Sequence, residues 1–249
     1  MACYHQSQQL VAPVGVVILG SRGIGKTGFL VYLLWLTVTQ RKEDSIASFR
    51  EANLPFFAFK WLDGGSRLQV SSHMSLDDAY KFFDFGSSPW YFCDSKAPRT
   101  HHPLKCVVAC SPAKGNYYQF SKRADIKLLY DPVWTLNEIH ILNKQVFHFD
   151  PDEVEERFGR WGGIPRYVLG KINSDILDKA IDGITNFQQM LHHVNALDKD
   201  EDEISHKVFH FVVDALYRLQ CCVCQSLCLR ETLQNCPAQE MRGVGRKVC

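Results

Sequence analysis

Eight residues near the start of the chain, GSRGIGKT from Gly20 to Thr27, follow a run of β-branched and aliphatic residues from Val14 to Leu19. They fit the pattern G-x-x-x-x-G-K-[ST], in which glycines let backbone N–H groups curl around phosphate oxygens. A strand before such a loop and a helix after it distinguish a phosphate loop from a plain glycine turn. Here the run before the loop predicts a buried strand, and Lys26 to Gln40 predicts a helix whose N-terminus favours an anion. The stretch therefore predicts a phosphate-binding loop.

Residue types within the loop suggest separate roles. We expect Lys26 to reach the β- and γ-phosphates and the Thr27 hydroxyl to ligate Mg²⁺. The predicted nucleotide-binding residues of this segment are Gly20, Ser21, Gly23, Ile24, Gly25, Lys26, Thr27 and Gly28. The predicted ligands are a nucleoside triphosphate, taken as ATP, and Mg²⁺. The sequence does not separate ATP from GTP.

The remainder of the first 131 residues alternates apolar runs with helical segments. PFFAFKWL and SRLQVSS flank DGG, which predicts a hairpin, and Ser75 and Asp78 have capping-box spacing before a short helix. Three more apolar runs, PWYFCD, LKCVVAC and DIKLLY, predict further strands. Strands that alternate with helices indicate an α/β domain with a mainly parallel sheet.

After residue 131 the pattern becomes helical. Thr135 and Glu138 form a predicted capping box, and Asp150 with Pro151 marks a second helix start. Further helices are predicted near 175–194 and 204–219. We therefore assign residues 1–131 to a nucleotide-binding α/β domain and 132–220 to a helical extension. Residues 221–249 are predicted to form an irregular, cysteine-rich tail.

A carboxylate near the metal is the second requirement of a P-loop enzyme, and PWYFCD ends in Asp94. With Thr27, it completes the predicted magnesium ligands. Because another buried strand, CVVAC, directly follows, we expect that strand to lie between the loop strand and the acidic strand, as in ATPases with a sensor residue there. The alternative is a nucleotide kinase arrangement, in which the loop strand and the acidic strand are neighbours.

The residues that hydrolysis requires are less complete in this sequence than those that nucleotide binding requires. In many hydrolysing P-loop proteins a glutamate follows the metal-binding aspartate and polarises water, whereas Ser95 follows Asp94 here. Asp63 or Asp84 is a conceivable base, although each also suits a turn or cap. Ser111, just after CVVAC, suits either a sensor of the γ-phosphate or a Ser-Pro turn.

Charge and hydropathy exclude some classes of partner. Twenty-eight basic and 27 acidic residues give a formal net charge of +1, so no overall field draws the chain to nucleic acid or to a membrane surface. The apolar run from Phe29 to Val38 is shorter than the roughly 20 residues of a membrane span. With no visible signal peptide we expect an intracellular protein with reduced thiols. Zinc at Cys221 and Cys224 is a weak alternative.

Five segments that occur here in this order carry a family resemblance: GSRGIGKTGFLVYLLW, PWYFCD, VVACSPAKGNYYQFSK, LLYDPVWTLNEI and RFGRWGGIPRYVLGK. Together, from about Val14 to Leu219, they resemble the NTPase module of the Crinkler effectors and of the related retrotransposon hot spot proteins. GGIPRYVL is similar to the G-x-P signature of the signal-transduction ATPases with numerous domains. In those ATPases a proline at a helix start packs by the nucleotide.

The resemblance implies further site residues. It matches Asp94 to the metal-binding acid, Ser111 to the polar residue after the sensor strand, and Gly163 and Pro165 to the G-x-P. Arg166, which follows the proline, is a candidate charge partner for phosphate. Taken alone, WGGIPRYVL predicts only a glycine turn and a helix start. The implied catalytic set is Lys26, Asp94, Ser111 and Arg166.

The chain also departs from that family. Arg22 stands where a small residue or proline is common, and we expect its side chain to point outward. We expect the translocation region and the C-terminal effector module of family members to be missing. The resemblance implies an effector that is secreted and acts in the cytoplasm or nucleus of a host.

Two hypotheses follow. The first is ATP binding with slow Mg²⁺-dependent hydrolysis, serving as a conformational switch. The second is a non-enzymatic interaction module, or an inactive family member, whose fold the nucleotide stabilises. Both include a protein partner of unknown identity, and an oligomer is compatible with either.

Overall fold

The computed structural model describes residues 15–49, 54–95, 104–112 and 114–170, together with the backbone of residues 209–213 and 219–223. Seven strands form its main sheet in the order β4-β3-β2-β5-β6-β1-β7. They are β1 (Gly15–Leu19), β2 (Ser45–Ser48), β3 (Phe56–Leu62), β4 (Arg67–His73), β5 (Trp90–Asp94), β6 (Lys105–Cys110) and β7 (Ile126–Tyr130). The strands β2, β5, β6, β1 and β7 run parallel, while β3 and β4 pair antiparallel at one edge. The predicted α/β class with a mainly parallel sheet is confirmed.

The strand order decides between the two arrangements left open by the sequence. Strand β6 lies between β1 and β5 and is parallel to both. Leu19 pairs with Cys110, and Asp94 pairs with Ala109, so the three strands end at the same edge of the sheet. The prediction that a strand lies between the loop strand and the acidic strand is thus confirmed. The alternative, in which β1 and β5 are neighbours as in nucleotide kinases, is wrong for this chain.

Helices cover both faces of the sheet because its strands are apolar on both sides. Along β1, Val17 and Leu19 belong to one buried cluster, and Ile18 belongs to the other. The helix α1 (Lys26–Trp35) buries Leu30 and Leu34 against the second cluster and continues as a π-helical turn, Leu36–Gln40. The predicted helix over 26–40 is therefore present. No helix of the described residues is long and apolar enough to cross a membrane.

The opposite face carries two shorter helices, α2 (Leu76–Lys81) and α3 (Lys114–Ser121). Helix α2 begins as predicted, since the Ser75 side chain accepts a hydrogen bond from the Asp78 N–H. The β3–β4 hairpin is also confirmed. The sequence prediction missed β2, because its four residues are too few to show a strand pattern.

A helical segment follows β7. It consists of α4 (Leu136–Leu142) with a π-helical turn (Asn143–Phe147), α5 (Pro151–Trp161) and α6 (Pro165–Val168). The Thr135–Glu138 capping box is formed, and Asp150 caps α5 by accepting from the N–H of Asp152. Ile139, Val154 and Val168 pack together as the core of this segment. The helix starts predicted from the sequence are therefore correct.

Two predictions for the C-terminal part are wrong. Residues Phe209–Val213 form strand β8, not a helix, and pair antiparallel with β9, Leu219–Val223. The predicted irregular tail thus begins inside a strand. The run FHFVV contains phenylalanine and valine, whose stiff, bulky side chains favour strands over helices. The helix predicted near 175–194 lies outside the described residues, and the division of the chain into domains stays a prediction.

Candidate functional site

The segment Gly20–Thr27, called here the glycine loop, joins β1 to α1. Gly23 and Gly25 have φ angles of +88° and +104°, which side chains with a Cβ rarely adopt. A Cβ at Gly20 would lie 2.8 Å from the Asp131 carbonyl oxygen. These glycines allow a tight turn at the carboxyl end of β1, with the N-terminus of α1 directly behind it.

The Lys26 side chain folds back over the glycine loop. Its Nζ donates hydrogen bonds to the carbonyl oxygens of Gly20, at 2.8 Å, and Ser21, at 2.7 Å. Burial lowers the pKa of Lys26 to about 8, against the opposing effects of Asp131, Cys110 and Asp94. The amine is therefore held at the loop in a position where an anion would compensate its buried charge.

Thr27 and Asp94 meet across the end of the sheet. The Thr27 hydroxyl donates to Oδ2 of Asp94 at 3.1 Å. Hydroxyl and carboxylate oxygens are ligands that suit Mg²⁺, which keeps several waters and needs few protein ligands. No group of three or more His, Cys, Asp or Glu side chains suited to a metal occurs among the described residues. The pair thus fits magnesium held together with phosphate, and does not fit an all-protein metal cage.

A cavity of about 270 Å³ lies over the loop and the ends of β5 and β6. Its lining residues are Arg22, Gly23, Gly25, Lys26, Thr27, Gly28, Asp94, Ser95, Ala109, Cys110, Ser111, Asn116 and Arg166. All four residues of the implied catalytic set are among them. The remaining predicted binding residues, Gly20, Ser21, Ile24 and Pro165, contribute backbone or packing nearby and do not line the cavity.

The charge of this cavity is mainly positive. Lys26, Arg22 and Arg166 line it, with Asp94 as the one carboxylate of the lining among the described residues. Arg22 is half-buried and is one of the lining residues, so the expectation that its side chain points outward stays a prediction. Two guanidinium groups and an ammonium group around one carboxylate suit a ligand with several negative charges.

Three polar, uncharged side chains also line this cavity: Ser95, Ser111 and Asn116. The Asn116 side chain, on α3, donates from Nδ2 to the Ser111 hydroxyl oxygen at 3.0 Å. The Ser95 N–H donates to the Ala109 carbonyl at 2.7 Å, and Ser95 has a φ of +80°. Asn116 was missed by the sequence reasoning, since a lone asparagine at a helix start carries no motif.

The G-x-P segment packs directly on the glycine loop. The Arg166 N–H donates to the Gly23 carbonyl oxygen at 3.3 Å, and the Trp134 indole N–H donates to the Ile24 carbonyl at 2.9 Å. The Trp134 backbone N–H in turn donates to the Gly163 carbonyl at 2.8 Å. The helical segment is thereby connected to the loop by hydrogen bonds at Gly23 and Ile24.

Asp131 is a site residue that the sequence reasoning did not identify. Its N–H donates to the Leu19 carbonyl at 2.7 Å, which places it beside the loop. Burial raises the pKa of its carboxyl group, and the charge of Lys26 opposes that rise. The sequence did contain a signal for Asp131 as a site residue, because it directly follows β7, just as Asp94 ends β5.

The other conceivable bases lie elsewhere. Asp63 is in the β3–β4 turn, where Oδ2 is 3.3 Å from Nε of Arg67. Asp84 pairs with Lys60 at 2.8 Å. Neither lines the cavity, so the idea that one of them replaces the missing glutamate is not supported by the geometry.

Comparison with known proteins gives a distant likeness. The chain is similar to Crinkler effector proteins. It is 28% identical to Crinkler effector protein 15 and 27% identical to Crinkler effector protein 16, both from Phytophthora infestans, over 167 residues. The match covers 64% of this chain and 25% of each relative, so the chain spans about a quarter of the length of these curated relatives. No family model matches the chain, and no solved structure matches it significantly.

Proposed function

We propose that this chain binds a nucleoside triphosphate, with ATP as the expected nucleotide, together with Mg²⁺. The observation that carries the proposal is the hydrogen bond from Thr27 to Asp94, which joins the end of the glycine loop to the end of β5 beside Lys26. A hydroxyl, a carboxylate and an ammonium group in this arrangement suit a metal-bound polyphosphate. The backbone curl of the loop adds N–H donors for phosphate oxygens.

Each charged residue of the cavity has a role in this proposal. Lys26 exchanges its two carbonyl partners for phosphate oxygens, and Arg22 and Arg166 neutralise the rest of the polyphosphate chain. Thr27 and Asp94 would hold Mg²⁺, which would supply positive charge beside the γ-phosphoryl group. Ser111, oriented by Asn116, is positioned to hydrogen-bond a γ-phosphate oxygen or an attacking water. These contacts together stabilise charge and provide no strong base.

We further propose a conformational switch. The G-x-P segment contacts the glycine loop through Arg166 and, by way of Trp134, through Ile24. A ligand that moves Lys26 and Arg166 therefore changes contacts shared with the helical segment. By analogy with the relatives, whose names describe effectors, the switch would serve an effector that engages a protein partner and acts inside a host cell.

The competing function is a nucleotide-stabilised interaction module without turnover. It is favoured by Ser95, which offers no carboxylate after Asp94, and by the absence of any second carboxylate from the described cavity lining. Slow hydrolysis remains compatible with Lys26 and Mg²⁺, because charge stabilisation alone accelerates phosphoryl transfer.

Lys26→Ala tests nucleotide binding. Loss of a charge-assisted contact to phosphate should weaken Mg·ATP binding by about 10- to 100-fold. Isothermal titration calorimetry at pH 7.0 measures the affinity. The matched control is Lys81→Ala, which removes an exposed lysine paired with Asp78 on α2 and should leave the affinity unchanged. Binding by Lys26→Ala and Asp94→Ala as tight as that of the unmodified protein would exclude the proposed site.

The pKa of Lys26, about 8, predicts a pH dependence of ATP binding. Below that value the amine is charged and attracts phosphate, whereas above it the free protein must take up a proton to bind. Affinity should therefore fall as pH rises from 8 to 10, by up to about tenfold per pH unit. The phosphates of ATP stay ionised throughout, since their last pKa lies near 6. Lys26→Arg, which stays protonated, should show residual affinity that is flat over the range. If the ATP affinity of the unmodified protein and that of Lys26→Arg fell equally steeply with pH, the prediction would be contradicted.

A further inference from the structure

A second cavity, of about 240 Å³, lies beside the first turn of α1. It is lined by Phe29, Asp131, Pro132, Val133, Trp134 and Glu138. These residues come from α1, from the stretch that follows β7, and from the start of α4. Nothing in the proposed handling of phosphate uses this cavity.

The two cavities are lined by consecutive residues in the first turn of α1. Gly28 lines the first cavity, and the next residue, Phe29, lines the second. Asp131 lines the second cavity and Lys26 lines the first. The charge of Asp131 nevertheless acts to raise the pKa of Lys26. Trp134 is tied to the loop by its hydrogen bond to Ile24. A ligand held at the loop therefore has the second cavity as its immediate neighbour.

The chemical character of the second cavity is opposite to that of the first. Within the described part of the chain, no basic side chain lines it, and Asp131 and Glu138 bring two carboxyl groups. Glu138 accepts hydrogen bonds from the Thr135 N–H and hydroxyl, and these hold its pKa below the usual range. Carboxylates repel phosphate and accept hydrogen bonds from hydroxyl and amino groups. The cavity thus suits a neutral, hydrogen-bond-donating group.

Aromatic and apolar surface completes the second cavity. Phe29 is 45% exposed, as are three other apolar residues of α1, and it is the residue of that helix that lines this cavity within the described part of the chain. The Trp134 indole is held in place by its N–H bond, and Pro132 and Val133 add apolar contacts. Flat rings next to hydrogen-bond acceptors are the surfaces on which nucleobases stack.

We propose that the second cavity binds the nucleoside part of the nucleotide, with the base against Phe29 and the sugar hydroxyls or exocyclic amino groups donating to Asp131 or Glu138. A nucleotide has one anionic end and one neutral aromatic end, and the two cavities, which meet at Gly28 and Phe29 of α1, provide a matching pair. This inference rests on the proposed function and extends it, because it assigns the residues that recognise the nucleoside.

Phe29→Ala tests the assignment, with ATP and inorganic tripolyphosphate as paired probes in calorimetric titrations with Mg²⁺ at one pH. The unmodified protein should bind ATP more tightly than tripolyphosphate. Loss of the ring should weaken ATP binding by about tenfold and leave tripolyphosphate binding unchanged. The matched control is Trp35→Ala, an exposed aromatic residue on the same helix that lines neither cavity. It should change neither affinity.

The outcomes separate this inference from the function on which it rests. If Phe29→Ala binds both probes as the unmodified protein does, or loses both equally, the nucleoside assignment is overturned while phosphate binding at the loop stands. If the unmodified protein binds neither probe, the proposed function fails and the assignment fails with it. If Phe29→Ala binds ATP more weakly and tripolyphosphate as tightly as before, the result supports both the nucleoside assignment and the proposed function.

Discussion

Gly163→Ala is expected to lower the free energy of unfolding by about 4 kcal/mol, a large effect for one methyl group. A Cβ at this position would lie 1.8 Å from the Trp134 carbonyl oxygen, far inside any contact distance. The obstacle is backbone, which cannot rotate away as a side chain can. Trp134 also donates its backbone N–H to the Gly163 carbonyl, so relief of the clash breaks that bond as well.

Urea denaturation followed by circular dichroism measures this effect. Gly159→Ala is the matched control, because Gly159 lies in α5 and an added Cβ there would meet nothing within 4 Å outside the adjacent backbone of its own helix. That change should raise stability by about 0.5–1 kcal/mol, since alanine suits a helix interior better than glycine. If both variants unfold at the same urea concentration, the close approach of Gly163 to Trp134 is not present in the folded protein. The Gly163 variant should also bind ATP more weakly, because Trp134 supports the loop.

Asp94→Asn is expected to lower Mg²⁺-dependent ATP turnover by about 100- to 1,000-fold, the range for removal of one group that stabilises developing charge. Asparagine keeps an oxygen that can accept from the Thr27 hydroxyl, so the geometry at the end of β5 should persist. The change removes the negative charge that would hold the metal. Binding of ATP should also lose most of its dependence on Mg²⁺ concentration.

Steady-state phosphate release, with and without Mg²⁺, measures turnover. Asp84→Asn is the control, because Asp84 is a largely exposed carboxylate that pairs with Lys60 and does not line the cavity. Its turnover should equal that of the unmodified protein. Turnover by the unmodified protein no higher than that of Lys26→Ala would exclude the enzyme and leave the nucleotide-stabilised interaction module. A decrease in Asp84→Asn alone would mean that turnover depends on Asp84 and would contradict the role proposed for Asp94.

Local patterns were sufficient where the chemistry depends on neighbouring residues. The glycine loop, α1 and the caps at Ser75, Thr135 and Asp150 follow from spacing within a few residues, which fixes the backbone locally. Asp94 was also predictable, because parallel strands place their carboxyl ends at one edge of the sheet. The order of β1, β6 and β5 was expected from the sequence beside a kinase-like alternative, and the pairing of β6 with both neighbours decided it. Strand patterns failed at β2, which is short, and at β8, where a helix was expected.

The sequence by itself determined a phosphate-loop pattern, an acid at a strand end and an α/β domain followed by helices. Only the tertiary structure decided that Arg166 lines the same cavity as Lys26, that Asp131 lies beside Lys26 and that Trp134 supports the loop through Ile24. These contacts join residues far apart in the chain, such as Ile24 and Trp134, so no local periodicity encodes them. They arise because β7 pairs with β1 and places the residues that follow it against the glycine loop.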